Sequence, residues 1–497
     1  MSLSKVIKEA LVYGQAKLGT EKEDAAFLEN LLLQRYNAFL PYEGEIDEAA
    51  YSTPKTPDAL LGEFRQELMA LGKNPEEIED ECAFLLGILT PLPSRVTETF
   101  STYYDRSPAL ATDYLYRQGI ANNYIPLTKI QKNVAYVASF PSSPSLEITI
   151  NLAKPEKNNK DIAKLLQAPK GERKYPLCAL CKENVGYPGI GGHAPRENLR
   201  IVPLHLEGEK WYLQYSPYQY YAQHCILIDD KHEKMEISRR IFALLLSFVD
   251  LFPHFFIGSN CDLPIVGGSI LNHEHFQGGF HRLPLFRSLP KQEIPLKHYP
   301  SCRLETMDFY DTALRLTSRN KEELLDLAEK IRAAWCCYED PENQIIAHDE
   351  NGRHNTITPL AEKKEGTYHL YLILRNNRCD ETYPEGIFHA HPEFFHIKKE
   401  GIGLIEAAGR FILPARLVRQ QKLIQDGLRQ GLSDEEIIEA NPELSSFLPM
   451  IKALRGGMSP EDYYAEVCRG ILFNVAVYKN TPEGEKGLEK FLQSMDL

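Results

Sequence analysis

The sequence predicts an α+β protein, with antiparallel sheet regions in the middle of the chain and helical regions at both ends. Three observations lead there. Up to about residue 121, apolar side chains recur at the spacing of one helix face. From Asn122 onward the texture changes to short period-two runs rich in β-branched and aromatic residues, punctuated by Gly, Pro and Asn. The order strands, helix, then a strand carrying His-x-His appears twice in outline, which suggests an internal duplication. At 497 residues the chain exceeds one ordinary core. The expected division is a helical region over 1–129, a first half over 130–290, a second over 291–410 and a helical region over 411–497.

Each element has its own signal. Phe27, Leu31, Leu32 and Tyr36 share a helix face, as do Leu60, Phe64, Leu68 and Leu71, until Thr90-Pro91-Leu92-Pro93-Ser94 breaks the pattern. Another helical stretch spans 96–121. Leu146 to Leu152 alternates as a strand, and the Lys- and Asn-rich stretch from Lys154 to Lys160 reads as a solvated loop. Strands follow at Arg200–Leu204, Trp211–Tyr215 and His224–Ile228, with a hairpin turn at Glu207-Gly208-Glu209-Lys210. Residues 238–252 form a helix with Ile241, Leu244, Leu245 and Val249 on one side. Residues 304–338 read as helical. Strands are expected at 343–348, 353–358 and 368–374, and at 386–391, where the second His-x-His stands. From Leu404 the chain reads as helical to its end, with breaks at Asn441-Pro442 and Gly456-Gly457.

Hydrophobic content of 43% and charge of 25% are those of a soluble globular chain. No apolar run is long enough to cross a bilayer, and the first residues lack a signal-peptide pattern, so a cytoplasmic protein is expected. A net charge of −13 argues against a nucleic-acid binder while leaving room for a local phosphate site. The ten cysteines are scattered, as expected of buried thiols in a reducing compartment.

The chemistry concentrates in Gly267-Gly268-Ser269-Ile270-Leu271-Asn272-His273-Glu274-His275-Phe276-Gln277-Gly278-Gly279. On a strand, His273, His275 and Gln277 point to one face; on a helix they diverge. The glycine pairs allow close approach of backbone or ligand. An imidazole can attack phosphorus if its ring is neutral and its other nitrogen donates to a fixed acceptor, a role for which His275 is the candidate. A backbone carbonyl of the same segment suffices as that acceptor. Gln277 can donate its amide N–H to a phosphoryl oxygen as charge builds there. Asn272 and Gly278 flank the trio and are read as substrate-binding. The plain alternative is a wet strand face.

Cys178-x-x-Cys181 is half of a zinc site by spacing. With no second Cys-x-x-Cys, further ligands must be histidines, and His232 and His273 are the candidates for a closed tetrahedral site. Inert thiols and a redox pair stay open as alternatives. In the second half, His389 and His391 are read on one strand face, with His396, Lys398 and Lys399 beside them and Arg353, His354, Arg375 and Arg378 on neighbouring strands. Such a group can hold a nucleotide or sugar phosphate, unless it is only a charged sheet face. No P-loop, dinucleotide-binding glycine fingerprint or Gly-x-Ser-x-Gly elbow is found.

His273-x-His275-x-Gln277 resembles the His-Pro-His-x-Gln signature of the galactose-1-phosphate uridylyltransferases, a branch of the histidine-triad superfamily. The stretches around it look like the second, bacterial class: residues 252–260, 262–269, 213–218, 354–359 and 396–400. Glu274 stands where the better-known class has proline, and Ile270-Leu271-Asn272 replaces its Ser-Asn-Pro.

The resemblance implies two histidine-triad-like half-domains, a homodimer, and a ping-pong transfer of UMP from UDP-glucose to galactose 1-phosphate through a uridylyl-His275. Gln277 matches the glutamine that holds phosphoryl oxygens. Cys178, Cys181, His232 and His273 match the zinc ligands of the better-known class, in a structural type of site, with no organic cofactor. Other readings are a different histidine-triad hydrolase or phosphorylase, or a zinc-binding scaffold without catalysis.

Overall fold

The computed structural model describes residues 3–153, 175–189, 194–268, 270–350 and 352–497. The expected loop at 154–160 lies outside them. Among the described residues the fold is α+β, as the sequence predicts. The strands are β1 Val134–Phe140, β2 Ser143–Asn151, β3 Val202–Leu206, β4 Glu209–Tyr215, β5 Cys225–Asp229, β6 Phe256–Gly258, β7 His275–Gly279, β8 Pro290–Ile294, β9 Cys302–Met307, β10 Ala313–Ser318, β11 His348–Asp349, β12 Gly352–Arg353, β13 Asn355–Lys364, β14 Thr367–Asn376 and β15 Arg410–Pro414. No described helix is long and apolar enough to cross a membrane.

The chain forms two compact units. One comprises Met1–Lys132, Lys157–Gln219 and Gln223–His232; the other comprises Asn133–Glu156, Tyr220–Ala222 and Glu233–Leu497. In the first, helices including Leu3–Tyr13, Asp58–Ala70 and Pro75–Leu89 close on a core of Val6, Leu32, Phe64, Leu68 and Leu86. Asn74 caps the last of these helices in a capping box with Glu77. Phe27 and Leu71, read onto the buried faces, instead lie exposed at helix ends. Strands β3, β4 and β5 pair antiparallel, and Glu207-Gly208 closes the β3–β4 hairpin with both residues at positive φ, the twist a two-residue turn requires. The buried Arg200 guanidinium donates to the carbonyls of Gly87, Thr90, Pro91, Glu197 and Leu199, which pins the helix end to the approach to β3.

In the second unit the strand order β7-β6-β13-β14-β10-β9-β8 is antiparallel throughout. The helices Arg239–Leu251 and Lys321–Cys337 pack against this sheet. A smaller sheet, β1-β2-β15, joins β2 and β15 in parallel. Three expectations are corrected here. The stretch 304–338 is helical only from Lys321; its first part is the β9–β10 hairpin, where Leu304 alternates with Glu305 and Leu314 with Arg315. The stretch 343–348 is not one strand: a 3-10 turn spans Pro341–Asn343, Ile345 only bridges to Asp340, and β11 begins at His348. Residues 386–391 are not a strand either: Gly386 takes φ +115°, and Pro392 opens a 3-10 turn. β15 was not foreseen within the C-terminal helical region.

Candidate active site

The helix Arg239–Leu251 leads through a turn into β6, and β6 pairs with β7. Their register sets Gly258 against Gln277, Ile257 against Gly278 and Phe256 against Gly279. Glycine at 278 is a steric requirement, since a Cβ there would sit 2.2 Å from the Phe256 carbonyl oxygen. At Gly267 a Cβ would lie 2.6 Å from the Leu263 oxygen and 2.7 Å from the Cys261 oxygen, so the turn before the histidines closes only without a side chain.

β7 begins at His275 and carries His275 and Gln277 two residues apart on one face. His273 lies just before the strand, in a bend. His275 is buried, and its Nδ1 stands 2.9 Å from the His273 carbonyl oxygen. A carbonyl can only accept, so Nδ1 carries the hydrogen and the neutral ring keeps its lone pair on Nε2. Burial pushes the ring down to about 4, with the His273 hydrogen bond offsetting only part of that effect. Gln277 is half-buried, and Asn272 is exposed.

Glu274, at the proline position of the better-known class, is buried. Its N–H donates to Glu233 O at 2.9 Å and its carboxylate meets Arg240 Nη1 at 2.7 Å. A proline could not donate the first bond. A second backbone bond, Met235 N–H to Leu271 O at 3.0 Å, runs beside it. The segment directly after His232 is thereby held against the segment carrying His273.

Cys178 Sγ and Cys181 Sγ are 3.6 Å apart, and Cys181 Sγ is 3.2 Å from His232 Nδ1. Two thiolates on one tetrahedral zinc, with Zn–S of about 2.3 Å, stand roughly 3.8 Å apart. Both cysteines are free thiols. Asn184 donates to the carbonyls of Cys178 and Cys181 and holds the turn. The Cys178 thiol is lowered to about 7, chiefly by its hydrogen bond with Cys181, against the effect of burial. One ligand atom from each of Cys178, Cys181 and His232 lies within 4.8 Å of the others. This donor set is compatible with zinc.

The second-half residues occupy other roles. Buried His389 contacts the Ala390 carbonyl through Nδ1 at 3.2 Å. His391 Nε2 donates to Ile387 O at 2.9 Å, and its ring stacks on Tyr383. His396 pairs with the Tyr463 hydroxyl at 2.8 Å and packs on Phe447, and burial lowers it to about 4. Lys398 is buried and pairs with Glu406 at 2.6 Å. Arg353 binds the buried Asp262, which also accepts from Thr356 Oγ1 and Ile237 N. Arg375 donates to Ile402 O, and Arg378 to Gln344 O. Arg240, Asp262 and Glu233 escaped the sequence reading because their partners lie far from them in the chain and no local pattern marks them.

A family model described as galactose-1-phosphate uridyl transferase, N-terminal domain, matches residues 49–234. The chain is 41% identical to a galactose-1-phosphate uridylyltransferase of Clostridium acetobutylicum, over 86% of this chain and 85% of that one. It is 37% identical to one of Caldanaerobacter subterraneus subsp. tengcongensis, over 98% and 97%. Among solved structures, a yeast Ap4A phosphorylase overlaps 63% of this chain and 90% of its own at 11% identity and a TM-score of 0.33, too loose to carry an argument. The protein is thus an enzyme of the nucleotidyltransferase class. More particularly, the chain belongs to the galactose-1-phosphate uridylyltransferase family.

Proposed function

We propose that the enzyme transfers UMP from UDP-glucose to galactose 1-phosphate through a covalent intermediate on His275. The Nε2 lone pair attacks the α-phosphorus, the bond to the bridging oxygen breaks, and glucose 1-phosphate leaves with that oxygen. A phosphate oxygen of galactose 1-phosphate then attacks the same phosphorus, the P–N bond breaks, and UDP-galactose forms. The observation that carries this reading is the 2.9 Å contact of Nδ1 with the His273 carbonyl, which leaves Nε2 as the nucleophilic atom. Gln277, on the same face of β7, donates to the phosphoryl oxygens, with Asn272 and the backbone at Gly278 beside it.

Zinc held by Cys178, Cys181, His232 and His273 supplies a structural cross-link and no step of the reaction. The Cys178–Cys181 and Cys181–His232 distances support the first three ligands. His389 and His391 are proposed as second-half contacts to substrate, in a division of the chain into halves at 130–290 and 291–410, and the enzyme as a homodimer. The proposal for His396 and Lys398 is weakened by their commitment to Tyr463 and Glu406.

The test is the formation of UDP-galactose from UDP-glucose and galactose 1-phosphate, with His275→Ala as control. Turnover by wild type and none by the variant is expected. Equal turnover by both would remove His275 from the mechanism.

A further inference from the structure

Directly behind Gln277 the backbone is Gly278-Gly279. The sequence there is dictated by space, because no Cβ fits at 278 against Phe256. Two glycines in a row leave the end of β7 with the largest conformational freedom any dipeptide has. Yet Gln277 must hold its amide to within a few tenths of an ångström of the place from which it can hydrogen-bond a phosphoryl oxygen, if it is to stabilise charge there. Pairing with β6 restrains one edge of the dipeptide, and a further contact can hold it from elsewhere.

The Tyr221 hydroxyl donates to the Gly278 carbonyl at 3.2 Å, and His281 N–H donates to Gly279 O at 3.1 Å. The Tyr221 ring is itself held on several sides. The His281 ring stacks on it at 5.1 Å with a 15° interplanar angle, and Phe256 packs at 5.5 Å. The Arg410 guanidinium stands 6.0 Å from its centroid while donating to the neighbouring Tyr220 carbonyl at 2.8 Å.

Arg410 and His281 converge in turn on one carboxylate. Glu147, buried on β2, takes His281 Nε2 at 2.7 Å and Arg287 Nη2 at 2.6 Å, and it also binds Arg410 Nη1. Burial alone would raise the Glu147 carboxyl, but these partners hold it down, at about 2. A buried carboxylate with three cationic or cation-capable partners is a rigid object. From it, two arms, His281 and Arg410, reach Tyr221.

We propose that Tyr221, fixed by Glu147 through His281 and Arg410, is a positioning residue that locks the Gly278-Gly279 backbone and so sets Gln277 for phosphoryl transfer. The inference rests on the reading of His275 and Gln277 given above.

Tyr221→Phe removes only the hydroxyl. The measured step is the single-turnover rate at which UDP-glucose uridylylates the protein. It is expected to fall on the order of tenfold in Tyr221→Phe, with the half-saturating UDP-glucose concentration and the thermal midpoint little changed. Glu147→Gln, which keeps the shape and removes the charge, is expected to slow the same step. The decisive comparison repeats Tyr221→Phe in a Gln277→Ala background. If Tyr221 acts through Gln277, its effect there shrinks towards onefold, because the group it positions is gone. An equal loss in both backgrounds, or a full rate in Tyr221→Phe, overturns the inference while leaving the reading of His275 intact. Absence of uridylylation in wild type overturns both.

Discussion

The Nδ1 of His275 stands 2.9 Å from the carbonyl oxygen of His273, two residues back in the same chain. That one contact fixes the ring's tautomer and its rotation. It also joins the two histidines of the motif: the His273 backbone carbonyl accepts from the proposed nucleophile.

Gln277 is expected to act on the charge that develops at phosphorus. Gln277→Ala should lower turnover by about 10²-fold with a smaller change in KM, because the donor matters most in the transition state. Steady-state kinetics with UDP-glucose measures it. A loss confined to KM would reduce Gln277 to a ground-state contact.

Glu274 ties the motif to the chain through its N–H bond to Glu233 and its ion pair with Arg240. Arg240→Ala withdraws the facing cation from a carboxylate that is 4% exposed. The expected cost is about 2 kcal/mol of unfolding free energy, and Glu274→Gln should cost less, because Arg240 is half-exposed and water can solvate it. Urea unfolding of both variants checks the order; the reverse order would show that the ion pair does not stiffen this segment.

How much of this was legible beforehand follows from how local each signal is. His275 and Gln277 are two apart on a strand, and Cys178 and Cys181 three apart in a turn, so period and spacing expose both. The β9–β10 hairpin was masked by the strongly periodic helix that follows it, whose Leu324, Leu327, Ile331 and Trp335 lent a helical appearance to the residues before. β15 is five residues long and gains its stability by lying parallel to β2, more than 250 positions away in sequence. His389-x-His391 imitates the first motif in letters only, because Gly386 and Pro392 keep its backbone out of a sheet. Glu147, Tyr221 and Arg410 carry no pattern at all, since what joins them is purely tertiary.

Cys178→Ser and Cys181→Ser are each expected to lose bound zinc and to lower the unfolding midpoint. Wild-type protein should carry one zinc per chain by elemental analysis, and chelation should lower its midpoint in the same direction. Unchanged metal content in either variant would remove that cysteine from the ligand set.

His396 gives stability a pH dependence of definite sign. Its folded value, about 4, lies below the ordinary 6.5, so between those values the unfolded chain binds more protons. Stability is therefore full above pH 6.5 and falls as pH drops towards 4. Between pH 7 and pH 5 the expected loss from this one group is on the order of 2 kcal/mol. Denaturant unfolding of wild type and His396→Asn at both pH values isolates it; the same pH slope in both proteins would contradict the assignment.

The most direct test of the account is the mass of the intact protein after mixing with UDP-glucose alone, without galactose 1-phosphate. One uridylyl group should appear on wild type, stable in base, labile in acid and discharged as UDP-galactose when galactose 1-phosphate is added, and none should appear on His275→Ala. A wild-type enzyme that makes UDP-galactose yet never gains that mass would contradict the covalent histidine.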